Sequence, residues 1–372
     1  MGVKILSPYD GMACGMIAMQ LAGVEVESYD AYEIDKYAIK TAQHNFPMIK
    51  EHGDVFDADF TQYEGVDFLI GGSPCTYWSI AQTKNRETVA SGMGWELFSQ
   101  YVRALHEAKP KYFIYENNKS MSKQIRASID EAFGFEAVLI NSELVSAQNR
   151  QRLYWVGKRK PDGTYSQVPV EQPEDRGILL RDIVENGAVW QGKSYNLTTR
   201  CCGAIPEDTL KRHRHTMVAV PTPIEYSPLD NCDVVITDNN IRCSYKDGSG
   251  TAMGYSVYFD DVKSPTVISG HAAKMKIIER VSDKKQHTVY EVRNGLITIK
   301  GKQYPIKLQD GYYIIRKLTV SECKRLQTVP EWYEFPVSNS QAYKMLGNGW
   351  TCEVIAHLIR SCIAEQWGGV DG

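Results

Sequence analysis

A series of short apolar runs, separated by helix-like segments, constrains the fold of this chain most strongly. The runs lie at residues 3–7, 26–32, 66–70 and 112–115, and each is followed by a turn residue or an acidic residue. Runs of this length and composition are typical of buried strands. Their alternation with amphipathic segments such as 96–108 predicts a doubly wound α/β sheet, whose ligands bind beyond the carboxyl ends of the strands.

A cysteine stands directly beyond the third of these runs. Gly71, Gly72 and Pro74 stop the strand and turn the chain, and Cys75 follows them. The thiol is therefore predicted to lie at the ligand-binding edge of the sheet, where a reactive group belongs. The stretch alone equally allows a small buried cysteine, because free cysteines are among the most buried residues.

An acid and two arginines are candidate partners for this thiol. The fourth run ends in Glu116, and a carboxylate and a thiol at the ends of nearby strands can face the same pocket. Arg150 and Arg152 alternate with Gln151 and share one face if this stretch is extended. On one face they would hold an anion or a carbonyl. Without that context they would be two ordinary surface arginines.

The start of the chain has the pattern of a cofactor cradle. An apolar run leads into a turn that contains Tyr9, Asp10, Gly11 and Gly15, and a helix-like segment follows. Backbone N–H groups at such a turn face a bound ligand, and an acid about 20 residues later grips a ribose diol. The full G-x-G-x-x-G fingerprint is absent, so the turn alone does not identify the ligand. The positions that suit a nucleoside beyond the turn are Glu33, Ile34, Asp54 and Val55.

Composition excludes several classes of protein. The 372 residues are 43% hydrophobic and carry a net charge of -3, so a sizeable core is expected and the overall charge indicates no partner. The nine cysteines form no C-x-x-C pair, which argues against a zinc site or a disulfide framework. No apolar run approaches the length of a membrane span, and no signal-peptide pattern opens the chain. These features predict a soluble protein of a reducing compartment.

A second, β-rich module is predicted from about residue 163. Strand-like runs there are separated by turns, and Asn294-Gly295 between two alternating runs is a strong hairpin signal. Residues 262–317 contain twelve Lys/Arg and four Asp/Glu, a local net charge of +8. Such a segment suggests a polyanion contact, although a solvated β-rich surface is the alternative. The polar, irregular residues 76–95 next to Cys75 are predicted to form a mobile lid.

Taken in order, these motifs resemble those of the DNA (cytosine-5) methyltransferase family over nearly the whole chain. The matching residues are the turn at 9–15, Glu33, Asp54, Pro74-Cys75, Glu116-Asn117, the Gln148, Arg150 and Arg152 motif, residues 318–330, and Leu346-Gly347-Asn348. Three positions depart from the family pattern: Thr76 replaces the usual Gln, Asn118 replaces Val, and Gly349, which Trp350 follows, replaces a Ser or Ala after Gly-Asn. None of these departures removes a group that does chemistry.

The resemblance implies a fold and a set of sites. It implies a Rossmann-like S-adenosylmethionine-dependent methyltransferase domain, at residues 1–162 and 317–372, interrupted by a β-rich target-recognition domain at 163–316. The implied catalytic residues are Cys75, Glu116, Arg150 and Arg152. The implied cofactor-binding residues are Tyr9, Asp10, Gly11, Gly15, Glu33, Ile34, Asp54, Val55, Pro74, Leu97, Asn348 and Gly349. The expected partner is double-stranded DNA, with no metal and no membrane, and a monomer is expected in the cytoplasm of a prokaryote or of a phage- or virus-infected host.

The family chemistry implies covalent catalysis on a flipped-out cytosine. Cys75 would add to carbon 6 with a lowered pKa, Glu116 would hold the 4-amino group and ring nitrogen 3, and Arg152 would hold the base carbonyl, while Arg150 would support the site or a phosphate. Three alternatives remain open. The chain could methylate tRNA, although the large insert favours duplex DNA. It could be a non-catalytic DNA-binding homologue, which the intact motifs argue against. It could transfer a different one-carbon group.

Overall fold

The computed structural model divides the chain into two compact units. It describes residues 2–80, 86–199, 201–221, 232–236, 240–245, 257–259, 276–278 and 287–367. The first unit comprises Met1–Ile183, Gly192–Gly203 and Thr319–Gly372, and the second comprises Val184–Gln191 and Ala204–Leu318.

The first unit is built on a mostly parallel sheet. Its strands are β1 (Val3–Pro8), β2 (Val26–Tyr32), β3 (Lys50–Glu51), β4 (Phe68–Gly71), β5 (Tyr112–Asn118), β6 (Val138–Asn141), β7 (Gln151–Arg159) and β8 (Tyr165–Gln167). They lie in the order β3-β2-β1-β4-β5-β7-β6, and β8 pairs with β7. The five strands from β3 to β5 in this order are parallel, whereas β7 runs antiparallel to its neighbours. This topology confirms the predicted doubly wound α/β class.

The helices pack their apolar faces onto this sheet. In chain order they are α1 (Cys14–Leu21), α2 (Lys36–Asn45), α3 (Met93–Ala108), α4 (Lys123–Phe133), α6 (Val320–Leu326), α7 (Asn339–Asn348) and α8 (Cys352–Trp367), whereas α5 (Pro206–Arg212) belongs to the second unit. A cluster of buried aromatic rings joins α3 and α4 to the centre of the sheet, and it includes Phe98, Tyr101, Tyr115, Phe133 and Trp155. Burial of such large rings stabilises the sheet whose edge carries the site.

Side-chain caps start three of the described helices. Thr319 accepts from the N–H of Glu322, and the Glu322 carboxylate accepts from the N–H of Thr319, which is the capping box predicted from the sequence. Asp35 and Ser122 cap α2 and α4 by accepting from the N–H groups of Tyr37 and Ile125. The strand before Asp54, β3, is only two residues long. It ends at Glu51 because Asp54 instead caps a 3-10 turn, Val55–Asp57.

The second unit is a separate β-rich body. Its strands are β9 (Met217–Pro221), β10 (Cys232–Ile236), β11 (Asn240–Tyr245), β12 (Val257–Phe259), β13 (Lys276–Ile278), β14 (His287–Arg293), β15 (Leu296–Ile299), β16 (Lys302–Pro305) and β17 (Gly311–Lys317). Arg293 pairs with Leu296 across Asn294 and Gly295, which both have positive φ, so the predicted hairpin is confirmed. Its described core includes Met217, Val292 and Ile297.

The division of the chain differs from the predicted boundaries. Residues 163–183 belong to the first unit, because β8 continues the first sheet by pairing with β7. Residues 192–203 also return to the first unit, where the Ser194 carbonyl accepts from the N–H of Asn149 and the Ser194 N–H donates to the Ala147 carbonyl, just ahead of β7. Within the predicted basic segment, residues 262–275 and 279–286 lie outside the described residues, as do parts of the strand-like runs at 234–237 and 255–259. A target-recognition role for the second unit stays a prediction.

Candidate active site

The ends of two neighbouring parallel strands bring the predicted thiol and acid together. Gly71 of β4 pairs with Tyr115 of β5, so the residues that follow each strand lie side by side. Cys75 opens a short 3-10 turn, Cys75–Tyr77, beyond β4. A Cβ on Gly72 would lie 2.7 Å from the carbonyl oxygen of Glu116 and 3.2 Å from its Oε2. Glycine therefore allows this close approach of the two strand ends.

The Glu116 carboxylate is held on both oxygens. Arg152 Nε lies 2.9 Å from Oε1, and the two side chains are 13% and 12% exposed. The β5–β7 register pairs Glu116 with Tyr154 and Asn118 with Arg152, so acid and arginine are diagonal neighbours on one face of the sheet. Trp350 donates its indole N–H to Oε2 at 3.0 Å. The carboxylate is thus fixed by one cation and one neutral donor.

Burial dominates the electrostatics of the Cys75 thiol. It raises the pKa of the Cys75 thiol above its ordinary value; the Arg152 guanidinium opposes this shift, and Glu116 adds to it. The prediction of a lowered pKa is therefore wrong for this arrangement, because desolvation of the thiolate outweighs the nearby cation. The Asn118 amide donates to the Cys75 carbonyl at 3.4 Å, so this departure from the family pattern supports the turn that carries the thiol.

A buried polar network fixes the loop between β4 and Cys75. Ser73 Oγ and Tyr115 OH are 2.6 Å apart, and Asn117 Nδ2 donates to the Ser73 carbonyl and to the Tyr115 hydroxyl. All three residues are almost fully buried. Hydrogen-bonded groups in such an environment hold a single conformation, which presents the thiol in a fixed place.

Arg150 and Arg152 have different surroundings. Arg150 is 3% exposed and donates to Asn196 Oδ1, to the Leu197 carbonyl and to the carbonyls of Gly347 and Gly349. Of the two roles that the sequence left open for it, these contacts favour support of the site over a phosphate contact. Arg152 is the arginine that touches the acid.

Glu33 forms a hydrogen bond to the predicted cofactor turn. The N–H of Gly11 donates to Glu33 Oε2 at 2.9 Å, and Glu33 Oε1 accepts from the N–H groups of Ile34 and Asp35 at 2.8 Å. A Cβ on Gly15 would lie 2.4 Å from Ile70 Cδ1, so any larger residue at this position would have to displace the buried Ile70 side chain.

Asp10 turns its side chain into the protein. Its Oδ1 accepts from Ser7 Oγ at 2.7 Å and from the Tyr29 hydroxyl, and the residue is 5% exposed. Burial raises the pKa of Asp10 to about 7. Glu51, whose oxygens have no hydrogen-bond partner, has its pKa raised to about 8 by burial and by the charges of Asp10 and Glu33. Asp10 therefore shapes the turn with its side chain, and its backbone N–H donates to the Tyr32 carbonyl at 3.3 Å.

The remaining predicted cofactor residues divide by exposure. Ile34 is 74% exposed beside the Glu33 carboxylate, as suits a residue that covers a flat ring, whereas Val55 is 4% exposed and packs in the core. Pro74 and Asn348 are exposed, and the Gly349 N–H donates to the Met345 carbonyl. The others are Tyr9, whose hydroxyl donates to the Leu97 carbonyl at 2.7 Å, and Asp54, whose Oδ1 accepts from the Phe56 N–H at 3.0 Å.

This donor set fits an adenosyl group. A carboxylate at the end of β2 suits ribose hydroxyls, and the exposed side chain of Ile34 offers an apolar surface for a base. Among the described residues, no cluster of three or more His, Cys, Asp or Glu could hold a metal ion. The described helices include none that is both long and apolar enough to cross a bilayer.

The predicted lid is only partly described. Residues 81–85 lie outside the described residues. On its far side, Arg86 donates to the carbonyls of Trp78 and Ser120, and Glu87 accepts from the Trp78 indole and the Gly94 N–H. Whether the segment closes on a substrate stays a prediction.

Trp350 is a contact of Glu116 that the sequence does not predict. In the sequence it stands directly after Gly349, where the last motif departs from the family pattern. An indole N–H is a hydrogen-bond donor, and the position of Trp350 next to the last motif is a sequence signal that it lies near the site. Its partner Glu116 lies 234 residues away in sequence, so only the folded structure shows the contact.

Comparison with known proteins gives one family and one fold. A family model described as C-5 cytosine-specific DNA methylase matches residues 4–364. The chain is 26% identical over 436 residues to the orphan methyltransferase M.SPRI of Bacillus phage SPR, covering 97% of each protein. It is 26% identical over 333 residues to the type II methyltransferase M.HpaII of Haemophilus parainfluenzae, covering 85% of this chain and 77% of the relative. The Entamoeba histolytica methyltransferase EhMeth shares the fold, with a TM-score of 0.52 at 13% identity over 98% of this chain and 99% of that one.

Proposed function

The chain belongs to the C-5 cytosine-specific DNA methylase family, and from this premise we propose that it transfers a methyl group from S-adenosylmethionine to carbon 5 of cytosine in duplex DNA. The observation that carries the proposal is the set of three side chains at one sheet edge. Cys75 follows β4, Glu116 lies near the end of β5, and Arg152 forms an ion pair with Glu116. A nucleophile, an acid and a cation are the groups that this reaction needs.

Carbon 5 of cytosine is a poor nucleophile until the ring is activated. The Cys75 thiolate adds to carbon 6, and the electrons of the 5,6 double bond then become available at carbon 5. S-adenosylmethionine, when bound, supplies a methyl group on a sulfonium. Loss of the carbon 5 proton afterwards restores the double bond and expels Cys75.

The neighbouring side chains hold the base during this addition. Glu116, in its protonated form, donates to ring nitrogen 3 and accepts from the 4-amino group, so negative charge does not build up on the ring. Arg152 binds the base carbonyl and stabilises the Cys75 thiolate, whose formation burial otherwise opposes. General acid help of the kind that Glu116 offers contributes about 10²–10⁴-fold.

Duplex DNA is the substrate that the family and its relatives favour. The target carbon lies inside the base stack, so the cytosine must be flipped out at a cost of a few kcal/mol. The second unit would contact the duplex. Its described basic side chains Arg293, Lys300, Lys302 and Lys307 are exposed. Contacts of such side chains with phosphates position a protein on DNA without reading its sequence.

Transfer of labelled methyl from S-adenosylmethionine to mixed-sequence duplex DNA tests the proposal, with tRNA beside it. We expect label in DNA cytosine with the full chain, none with Cys75→Ser, and an undiminished rate with Cys362→Ala, which alters a buried cysteine of α8. Label in tRNA alone would transfer the function to RNA. No label in either, with cofactor still bound, would show a silent binding homologue or another donor.

A covalent trap tests the mechanism separately. In a duplex that contains 5-fluorocytosine, no proton can leave carbon 5, so the bond between Cys75 and carbon 6 should persist after methyl transfer. We expect a protein–DNA adduct that survives denaturation and maps to Cys75 by mass spectrometry. Transfer to ordinary DNA without an adduct would overturn the proposed nucleophile.

A further inference from the structure

Trp350 makes a contact that the proposed chemistry does not yet use. Its indole Nε1 lies 3.0 Å from Glu116 Oε2, and the residue is 9% exposed. Arg152 Nε takes the other oxygen of the same carboxylate at 2.9 Å. The acid that would touch the base therefore has one fixed donor on each oxygen.

The backbone that carries Trp350 is fixed by buried donors. Arg150 donates to the carbonyls of Gly347 and Gly349 at 3.2 and 2.8 Å. Gln327 Nε2 donates to the Leu346 carbonyl at 2.6 Å and also to that of Gly349 at 3.1 Å. A segment held at three of the four positions before Trp350 has little freedom, so the indole N–H is kept in one orientation.

The residue that follows Trp350 is fixed as well. Thr351 Oγ1 donates to Gln327 Oε1 at 2.9 Å and lies 2.9 Å from Ser142 Oγ. Both residues are about 1% exposed. The indole is therefore held from both sides by a network within one compact unit, which is how a rigid support is built around a reacting group.

We propose that Trp350 is a positioning residue for Glu116: its indole N–H fixes Oε2, as Arg152 fixes Oε1, so that the carboxyl group meets the cytosine edge in one orientation. The inference rests on the proposed function. It assigns a role to Trp350, the residue that follows the departure from the family pattern at Gly349.

The geometry of a carboxyl group explains why these two donors suit the reaction. Each oxygen has two lone pairs, and one on each is taken by Trp350 or Arg152. The second lone pair on one oxygen can accept from the 4-amino group, and the other oxygen can carry the proton that is donated to ring nitrogen 3. The indole is a donor only and carries no charge. It therefore orients the acid without competing for that proton or adding a second cation beside it.

The contact itself can be tested without turnover. The chain has seven tryptophans, and ¹⁵N-labelled full-length protein will show their indole N–H signals, with that of Trp350 assigned by its absence in Trp350→Phe. We expect Glu116→Gln to move this signal and leave that of Trp332, an exposed tryptophan that contacts Phe46, in place. An unmoved Trp350 signal would overturn the proposal.

Kinetics then test the positioning role. Trp350→Phe keeps most of the buried ring and removes the donor, and a hydrogen bond to a charged group corresponds to about a 10- to 100-fold change. We expect kcat for methyl transfer to fall by about that factor, with KM for S-adenosylmethionine within about twofold of wild type and with Trp332→Phe as the matched active control. An unchanged kcat, or a loss confined to KM, would overturn the proposal.

The two hypotheses fail in different ways. If wild-type protein methylates neither DNA nor tRNA, the proposed function is wrong. The positioning role of the Trp350–Glu116 hydrogen bond is then wrong too, even if the Trp350 indole signal responds to Glu116→Gln. If wild-type protein methylates DNA and Trp350→Phe does so equally fast, only the positioning role is wrong.

Discussion

Lysine substitutions at Arg150 and Arg152 separate two residues that the sequence alone treats as equivalent. Arg150 donates through Nη1 to Asn196 and Leu197, and through Nη2 to Gly347 and Gly349. A lysine keeps the charge but has a single nitrogen, which reaches at most one of these two pairs of acceptors. Arg150→Lys should therefore leave buried acceptors without donors.

The size of the loss follows from the contacts. Each buried acceptor left without a donor costs about 1–3 kcal/mol. The substitution leaves two such acceptors, either those of Asn196 and Leu197 or those of Gly347 and Gly349. In the second case Gln327 still donates to the Gly349 carbonyl. The expected loss of unfolding free energy is about 2–4 kcal/mol, which lowers the Tm of a chain of 372 residues by roughly 3–5 °C. Arg152→Lys should lower stability by only about 1 kcal/mol, because a lysine at this partly exposed position can still pair with Glu116.

Thermal unfolding followed by circular dichroism, with methyl transfer measured in parallel, distinguishes the two variants. We expect Arg150→Lys to lose Tm, and Arg152→Lys to keep its Tm while transferring methyl at least about tenfold more slowly, since the planar fork that holds the base is gone. Equal losses of Tm in the two variants, or a stable Arg150→Lys protein, would refute the reasoning from these contacts.

Two further predictions concern pH. Because burial raises the pKa of Cys75, the pH midpoint of its alkylation by iodoacetamide should lie above that of a free cysteine measured alongside. Arg152→Met should move this pH midpoint higher, because it removes the opposing cation. A pH midpoint below that of the free thiol would contradict this prediction. Burial raises the pKa of Asp10 to about 7, so the native state keeps a proton that the unfolded chain loses above about pH 4, and this contribution to stability is lost as the pH rises through about 7. Asp10→Asn, which keeps an acceptor for Ser7 and Tyr29, should therefore raise Tm more at pH 8 than at pH 5, and an equal change at both pH values would argue against the shift.

Much of the framework could be predicted because its signals are local. Apolar runs, glycine turns and capping residues act over a few neighbours, so the strand before Cys75, the capping box at Thr319 and the hairpin at Asn294 were all predictable from short stretches. Because parallel strands end at one edge of the sheet, the meeting of Cys75 and Glu116 could also be predicted.

What depends on burial and on distant partners was decided only by the tertiary structure. The two arginines stand two residues apart, yet one supports a backbone segment and the other pairs with Glu116, because their neighbours come from different parts of the chain. The raised pKa of Cys75 reflects desolvation, which no local motif reports. Trp350 reaches Glu116 only because Gln327 and Arg150 fix the segment that carries it. The sequence alone therefore determined which chemical groups are present and at which strand ends they stand. Their orientation and charge state followed from packing, because both depend on atoms brought together from distant positions.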